Sequence, residues 1–167
     1  MKTRDHTEVE NFLYSTRNLQ FTINEMKKTI ELYKRDISGL KAVDYSKSKI
    51  SGGGVHDVGD TVEKVEHTIT KMLYDQLAAL NRLMVMRMAT QEIAALLHED
   101  KTMQGLIVAR YVNCRSWADI AHDLNYGIDN VYKIHRKAIQ ILNDEYQDRV
   151  RAIIKEADET YPAKYLQ

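Results

Sequence analysis

Proline is all but missing from this 167-residue chain, with Pro162 the single example, so nothing before it forces a helix to stop. Cysteine is as scarce. Cys114 stands alone, which excludes an intramolecular disulfide and any cysteine-based zinc finger and suits a reducing compartment; a small, half-buried turn residue is its expected role. Net charge is absent as well, with 24 Lys and Arg against 24 Asp and Glu, so any nucleic-acid contact must come from a local patch. No run of about 18 apolar residues occurs, and Met1 to Glu10 is polar and charged, so neither a membrane span nor a secretory leader is expected and the expected location is the cytoplasm. No nucleophile, paired-carboxylate or metal-ligand pattern stands out, so no enzyme, no cofactor and no metal site is expected. Gly52-Gly53-Gly54 is followed by Val55-His56-Asp57, where a phosphate loop needs Gly-Lys-Ser/Thr, and reads as a linker.

What the chain does have is helical periodicity. Hydrophobic residues make up 44% of it, enough for a modest core. Val9, Phe12, Thr16, Leu19, Ile23, Met26, Ile30, Tyr33 and Ile37 follow one another at steps of three and four, which predicts a long helix from about Asp5 to Ser38 with a heptad seam. The partner of that seam is either another subunit or another part of this chain. After Gly39 the pattern breaks, and a flexible Lys-, Ser- and Gly-rich loop is expected over about 39–60.

Asp60 or Thr61 can cap a second long helix in which Val62, Val65, Ile69, Met72, Ala79, Leu83, Met86, Ile93 and Leu97 keep the same rhythm. Leu73, Leu77, Leu80 and Met84 widen its stripe to a second flank, so this helix needs more than one neighbour. A helical hairpin that pairs with a further copy is the expectation. Val9, Phe12, Leu19, Ile23, Met26 and Ile30 of the first helix, with Ile69, Met72, Leu83 and Met86 of the second, are the candidate oligomerisation residues. Glu99-Asp100-Lys101 ends or interrupts the second helix, and a short helix through Leu106 to Tyr111 follows.

The most informative stretch runs from Trp117 to Arg136 and has helix-turn-helix spacing. Ile120, Ala121 and Leu124 fit the buried face of one helix, and Val131, Ile134 and Ala138 that of a second crossing it at the small Ala121. Ser116 stands at the N-cap, with Asp119 at the capping-box position. Asn125-Tyr126-Gly127 supplies the turn, with Asn125 where a positive φ is wanted. The second helix is expected from about Ile128 through Leu142, with Tyr146, Val150, Ile153, Ile154 and Ala157 continuing the period to about Thr160. No strands are expected, so the fold class is all-α: a long N-terminal hairpin of coiled-coil character over 1–100, then a helix-turn-helix domain with a C-terminal helix over 101–167.

Taken together, Arg110-Tyr111, Trp117-Ala-Asp-Ile-Ala-x-x-Leu124, Val131-x-x-Ile134 and Ala138-Ile139-x-x-Leu142 resemble region 4 of the sigma-70 family over about Leu106 to Asn143. More narrowly, Arg110-Tyr111, Trp117, Ile120-Ala121, Tyr126, Val131-Tyr132 and His135 resemble phage late-gene transcription activators of the RinA and ArpU kind. The resemblance implies sequence-specific binding of double-stranded DNA, transcriptional activation, and RNA polymerase as a second partner. The start of the recognition helix departs from the sigma pattern. Arginine, glutamate, arginine and glutamine are usual there, and Ile128, Asp129, Tyr132 and Lys133 stand in their places, so recognition of an ordinary minus-35 element is not implied.

If Val131, Ile134 and Ala138 face inward, helical geometry turns Asp129, Asn130, Lys133, Arg136 and Lys137 outward with Tyr132 beside them. Asn130 suits adenine, Lys133 suits guanine, and Arg136 and Lys137 suit phosphates. Arg115 and Ser116 ahead of the first helix, and Tyr126 and Gly127 in the turn, complete the candidate DNA-contact set. Trp117 is expected in the core or as an anchor, and His122 and His135 on the surface or half-buried. Between Met103 and Asn143, Arg110, Arg115, Lys133, Arg136 and Lys137 oppose Asp119, Asp123 and Asp129, a local excess of about two positive charges. One such module binds weakly, and a homo-oligomer brings a second. The rivals are a phage DNA-packaging recognition subunit of the small-terminase type and a coiled-coil protein that grips polymerase without touching DNA.

Overall fold

The computed structural model describes residues 7–44 and 58–162, and over them the protein is all-helical. Helix α1 spans Glu8–Asp44 and α2 spans Val58–Ala95. Then come α3 (Lys101–Ile107), which runs on into one π-helical turn (Val108–Val112), α4 (Trp117–Leu124), α5 (Ile128–Asp144) and α6 (Gln147–Thr160).

Thr7 and Glu10 start α1 by capping each other. The Thr7 amide donates to the Glu10 carboxylate at 3.1 Å, and the Glu10 amide donates to the Thr7 hydroxyl at 3.4 Å. The helix does not stop at Gly39, as its sequence pattern suggests, but continues five residues to Asp44. Nothing lies near Gly39, so the glycine costs only its intrinsic propensity of about 1 kcal/mol. On either side of it Ile37 is buried against α2, and Lys41 reaches Glu66 at 2.7 Å. The flexible loop expected over 39–60 is therefore helix at 39–44 and from 58 onward, and its middle lies outside the described residues.

The two long helices pack on one another along most of their length. Thr16 and Thr90, both fully buried, bring their hydroxyls to 3.4 Å across the seam. Leu19, Ile23 and Met26 of α1 meet Ala79 and Leu83 of α2, and further out Ile30 and Ile37 meet Ile69, Met72, Val62 and Val65. Val9, Phe12 and Met86 belong to the main core. All ten candidate oligomerisation residues are thus packed inside one chain, and any surface for a second copy must be sought elsewhere. The seam's heptad rhythm is the same whether its partner lies in the same chain or another, which is why sequence alone left both open.

Residue 100 is not a packing boundary. A single core joins Val9, Phe12 and Leu13 of α1 and Ile93, Ala94 and Leu97 of α2 to Leu106, Ile107, Tyr111, Ile120, Val131, Leu142, Val150 and Ile154. The hairpin's open end, where α1 begins and α2 finishes, forms one wall of the helix-turn-helix. After Asp144 the helix-turn-helix gives way to the C-terminal helix. The chain bends at Glu145 and Tyr146, and α6 begins at Gln147. The bend swings Val150, Ile154 and Ala157 back onto the core beside α2. Both helices bury their stripes in that core, so the apolar period runs through the bend without marking it.

Candidate nucleic-acid interface

Asp100 opens the local unit by accepting from the amides of Thr102 at 2.9 Å and Met103 at 3.1 Å, which caps α3. The π turn ends when Asn113 donates to Val108 O, five residues back, and Cys114 follows at φ 56. That left-handed residue, half-buried as expected, reverses the chain into α4. Ser116 and Asp119 form the anticipated capping box: the Asp119 amide donates to the Ser116 hydroxyl oxygen at 3.1 Å and the Ser116 amide to the Asp119 carboxylate at 3.3 Å. Hydrogen bonds from Ser116 hold the Asp119 carboxyl below its ordinary range. Asn125 adopts φ 53, ψ 40 and closes α4 as a left-handed C-cap. Tyr126 N returns to Ala121 O at 3.0 Å, and α5 begins two residues later at Ile128.

The inward face of α5 is Val131, His135, Ala138, Ile139 and Leu142. Ile134, expected inward, is only half-buried, and His135, expected at or near the surface, is 6% exposed. The reason lies on the preceding helix. Tyr111, fully buried, places its hydroxyl 2.8 Å from His135 Nε2, so the imidazole enters the core with a polar partner. Trp117 stands edge-on to the same ring at 5.0 Å and packs against Tyr132 at 5.0 Å. Beneath it, the Arg110 guanidinium lies 4.3 Å from the indole ring and donates to Arg115 O at 2.8 Å. Burial, and then the nearby Arg17, push the Arg110 pKa down from its ordinary value. Trp117 is therefore an anchor, held between a cation and two aromatic rings.

Every candidate DNA-contact residue is exposed, namely Arg115, Ser116, Tyr126, Gly127, Asp129, Asn130, Tyr132, Lys133, Arg136 and Lys137. They do not form one patch. Asp129, Tyr132, Lys133 and Arg136 line an open groove of about 520 Å³, bordered by Trp117 and His135 and, from α1, by Glu10 and Tyr14. Lys137 faces the other flank, beside Asp100, Ile141 and Glu145. Asn130 sits seven residues before Lys137 and so shares its side of the helix. Ahead of α4, Arg115 pairs with Asp123, and the Ser116 hydroxyl is 2.6 Å from the Asp119 carboxylate. Both are already engaged, and Arg110 is buried, so the exposed positive charge gathers on α5, where Lys133, Arg136 and Lys137 face Asp129.

Sequence reasoning missed two groups. Gln140, exposed and seven residues beyond Lys133, extends the outermost strip of α5, and the i to i+7 spacing was the available signal. Glu10 and Tyr14 reach the groove from the far end of the chain, and no local signal could have announced them. No protein-family model matches the chain, nor does any curated protein or solved structure. No described helix is long and apolar enough to cross a membrane.

Proposed function

We propose that this protein is a sequence-specific DNA-binding regulator of transcription, an activator of phage late genes, working in the cytoplasm with double-stranded DNA and RNA polymerase as partners. The observation that carries the DNA-binding reading is the exposed side of α5, which presents Asp129, Lys133 and Arg136 on one flank and a bidentate amide (Asn130) and Lys137 on the other, on a helix fixed by a capped α4 and a left-handed Asn125 turn. A helix so held can enter a major groove, where Asn reads adenine and Lys reads guanine while the later cations meet phosphates. Assignment to late-gene activation rests on the resemblance of Arg110-Tyr111, Trp117, Ile120-Ala121, Tyr126, Val131-Tyr132 and His135 to activators of the RinA and ArpU kind.

In a gel shift, Asn130→Ala and Lys133→Ala are each expected to weaken specific binding by roughly tenfold or more, with helical circular dichroism unchanged because both side chains are exposed. Lys137→Ala should weaken specific and non-specific binding alike and reduce the salt slope by about one. Normal specific binding by both of the first two variants would show that α5 is not the reader. A polymerase-binding role without DNA contact is favoured by one observation, that Arg110 and Arg115 are tied up within the protein. A salt titration with no preference for any sequence would decide for it.

A further inference from the structure

One exposed surface has no role in the hairpin, the core or the α5 face. Along α2, Leu73, Tyr74, Leu77, Leu80, Met84 and Met88 are between 43% and 70% exposed. Leu73, Leu77, Leu80 and Met84 recur at steps of four, three and four, so they form a single stripe about 16 Å long, which Met88 extends by a further turn. Between Lys71 and Glu92 no exposed residue of α2 carries a charge; Asp75 and Arg87 are half-buried, and Arg87 is turned to Gln20 on α1 at 2.6 Å. The exposed faces of α1 and α6 are different in kind, with ion pairs such as Lys28–Glu25, Lys34–Glu31 and Lys155–Glu159. A charge-free apolar helix face of this length belongs inside an assembly.

We infer that this face is covered by the same face of a second copy, so that the protein is a dimer paired through α2. Charge argues for this occupant. A two-fold interface sets each residue of the patch against the same patch, so net charge there would meet itself, and α2 exposes none from Leu73 to Met88, with Glu92 and Glu156 bordering its Met88 end. Nucleic acid would find no cation on the stripe to bind. Area argues for it too. Six side chains with on the order of 100 Å² each still in water give about 1,200 Å² when two copies meet, which reaches the lower bound for a specific interface. Asn81, exposed beside Leu77 and Leu80, gives that interface a polar edge. The pairing deepens the DNA-binding reading, because α5 alone carries a small positive excess and two modules double the phosphates met, but it stands on the α2 surface alone.

The test is the mass of the full chain in solution without DNA, by light scattering behind size exclusion, for the natural protein and for Leu77→Glu/Met84→Glu. The natural protein should run at twice 19.4 kDa and the double variant at 19.4 kDa with its helical circular dichroism intact. A natural protein that stays at 19.4 kDa throughout the micromolar range overturns the inference, as does a double variant that keeps the doubled mass. Should glutamate disturb folding, Leu77→Ser/Met84→Ser makes the same demand more gently, and a doubled mass there is equally contrary. Because no DNA is present, failure here leaves the reading of α5 untouched, and failure of the gel shift leaves the dimer untouched.

Discussion

Tyr111→Ala is expected to lower the stability of the whole protein by about 4 kcal/mol, which for a chain of this size shifts thermal unfolding by roughly 10 °C. The ring has no exposed surface and joins three parts of the molecule. It stands edge-on to Tyr14 of α1 at 5.6 Å, belongs to the π turn, and presents its hydroxyl to His135 of α5. Tyr111→Phe keeps the ring and removes only the buried hydrogen bond, so about 1 kcal/mol is expected. The pair separates packing from polarity. Burial first, and then Tyr14, raise the Tyr111 phenol far above its ordinary range, so it stays protonated in the folded state while the unfolded phenol ionises near pH 10. The unfolded state then binds fewer protons above that pH, and stability falls as pH rises. Below it the contribution is complete. Urea titrations at pH 8 and pH 10.5 should show an alkaline loss that is smaller in Tyr111→Phe, and equal losses in both proteins would contradict the assignment.

The second large effect is expected at Arg82. This α2 side chain is 5% exposed, and its guanidinium closes the end of α6, donating to Ala157 O at 2.9 Å and Tyr161 O at 2.6 Å and pairing with Asp158. A cation at the last carbonyls of a helix meets the negative end of its dipole, and a planar fork can serve several acceptors at once. Arg82→Met keeps much of the stem's packing and leaves those carbonyls without their donor, which should cost about 2–3 kcal/mol. Arg82→Lys should recover less than half of that, because one ammonium cannot span the same acceptors. Hydrogen exchange locates the effect, since the amides around Val150 to Ala157 should lose protection before those of α4. Unchanged protection in Arg82→Met would mean that apolar contacts alone hold α6 in place.

Much of this architecture is local, and local features are readable. The Ser116–Asp119 cap, the Asn125 turn, the Ala121 crossing and the rhythm of α1 and α2 each depend on residues within a turn or two of one another. What escaped was set by distant partners. His135 is inside because Tyr111 supplies a hydrogen bond 24 residues away, a pairing that periodicity cannot encode. Glu10 borders α5 because the hairpin's end packs on the helix-turn-helix, which a boundary drawn at residue 100 hid from view. The heptad seam fixed helical packing but not whose helix would fill it, and since α1 and α2 fill each other, the surface left for a second copy is the broader flank of α2. The exact place of the bend, Glu145–Tyr146, is not marked by the apolar period, because one core satisfies that period on both sides of it.

The central claim is that α5 reads DNA, and protection mapping on the DNA flanking this protein's own gene tests it most directly. The account predicts a discrete protected segment that vanishes with Asn130→Ala/Lys133→Ala, and two symmetry-related half-sites where copies pair through α2. Protection that is absent, or spread evenly over all sequences at every salt concentration, would contradict it.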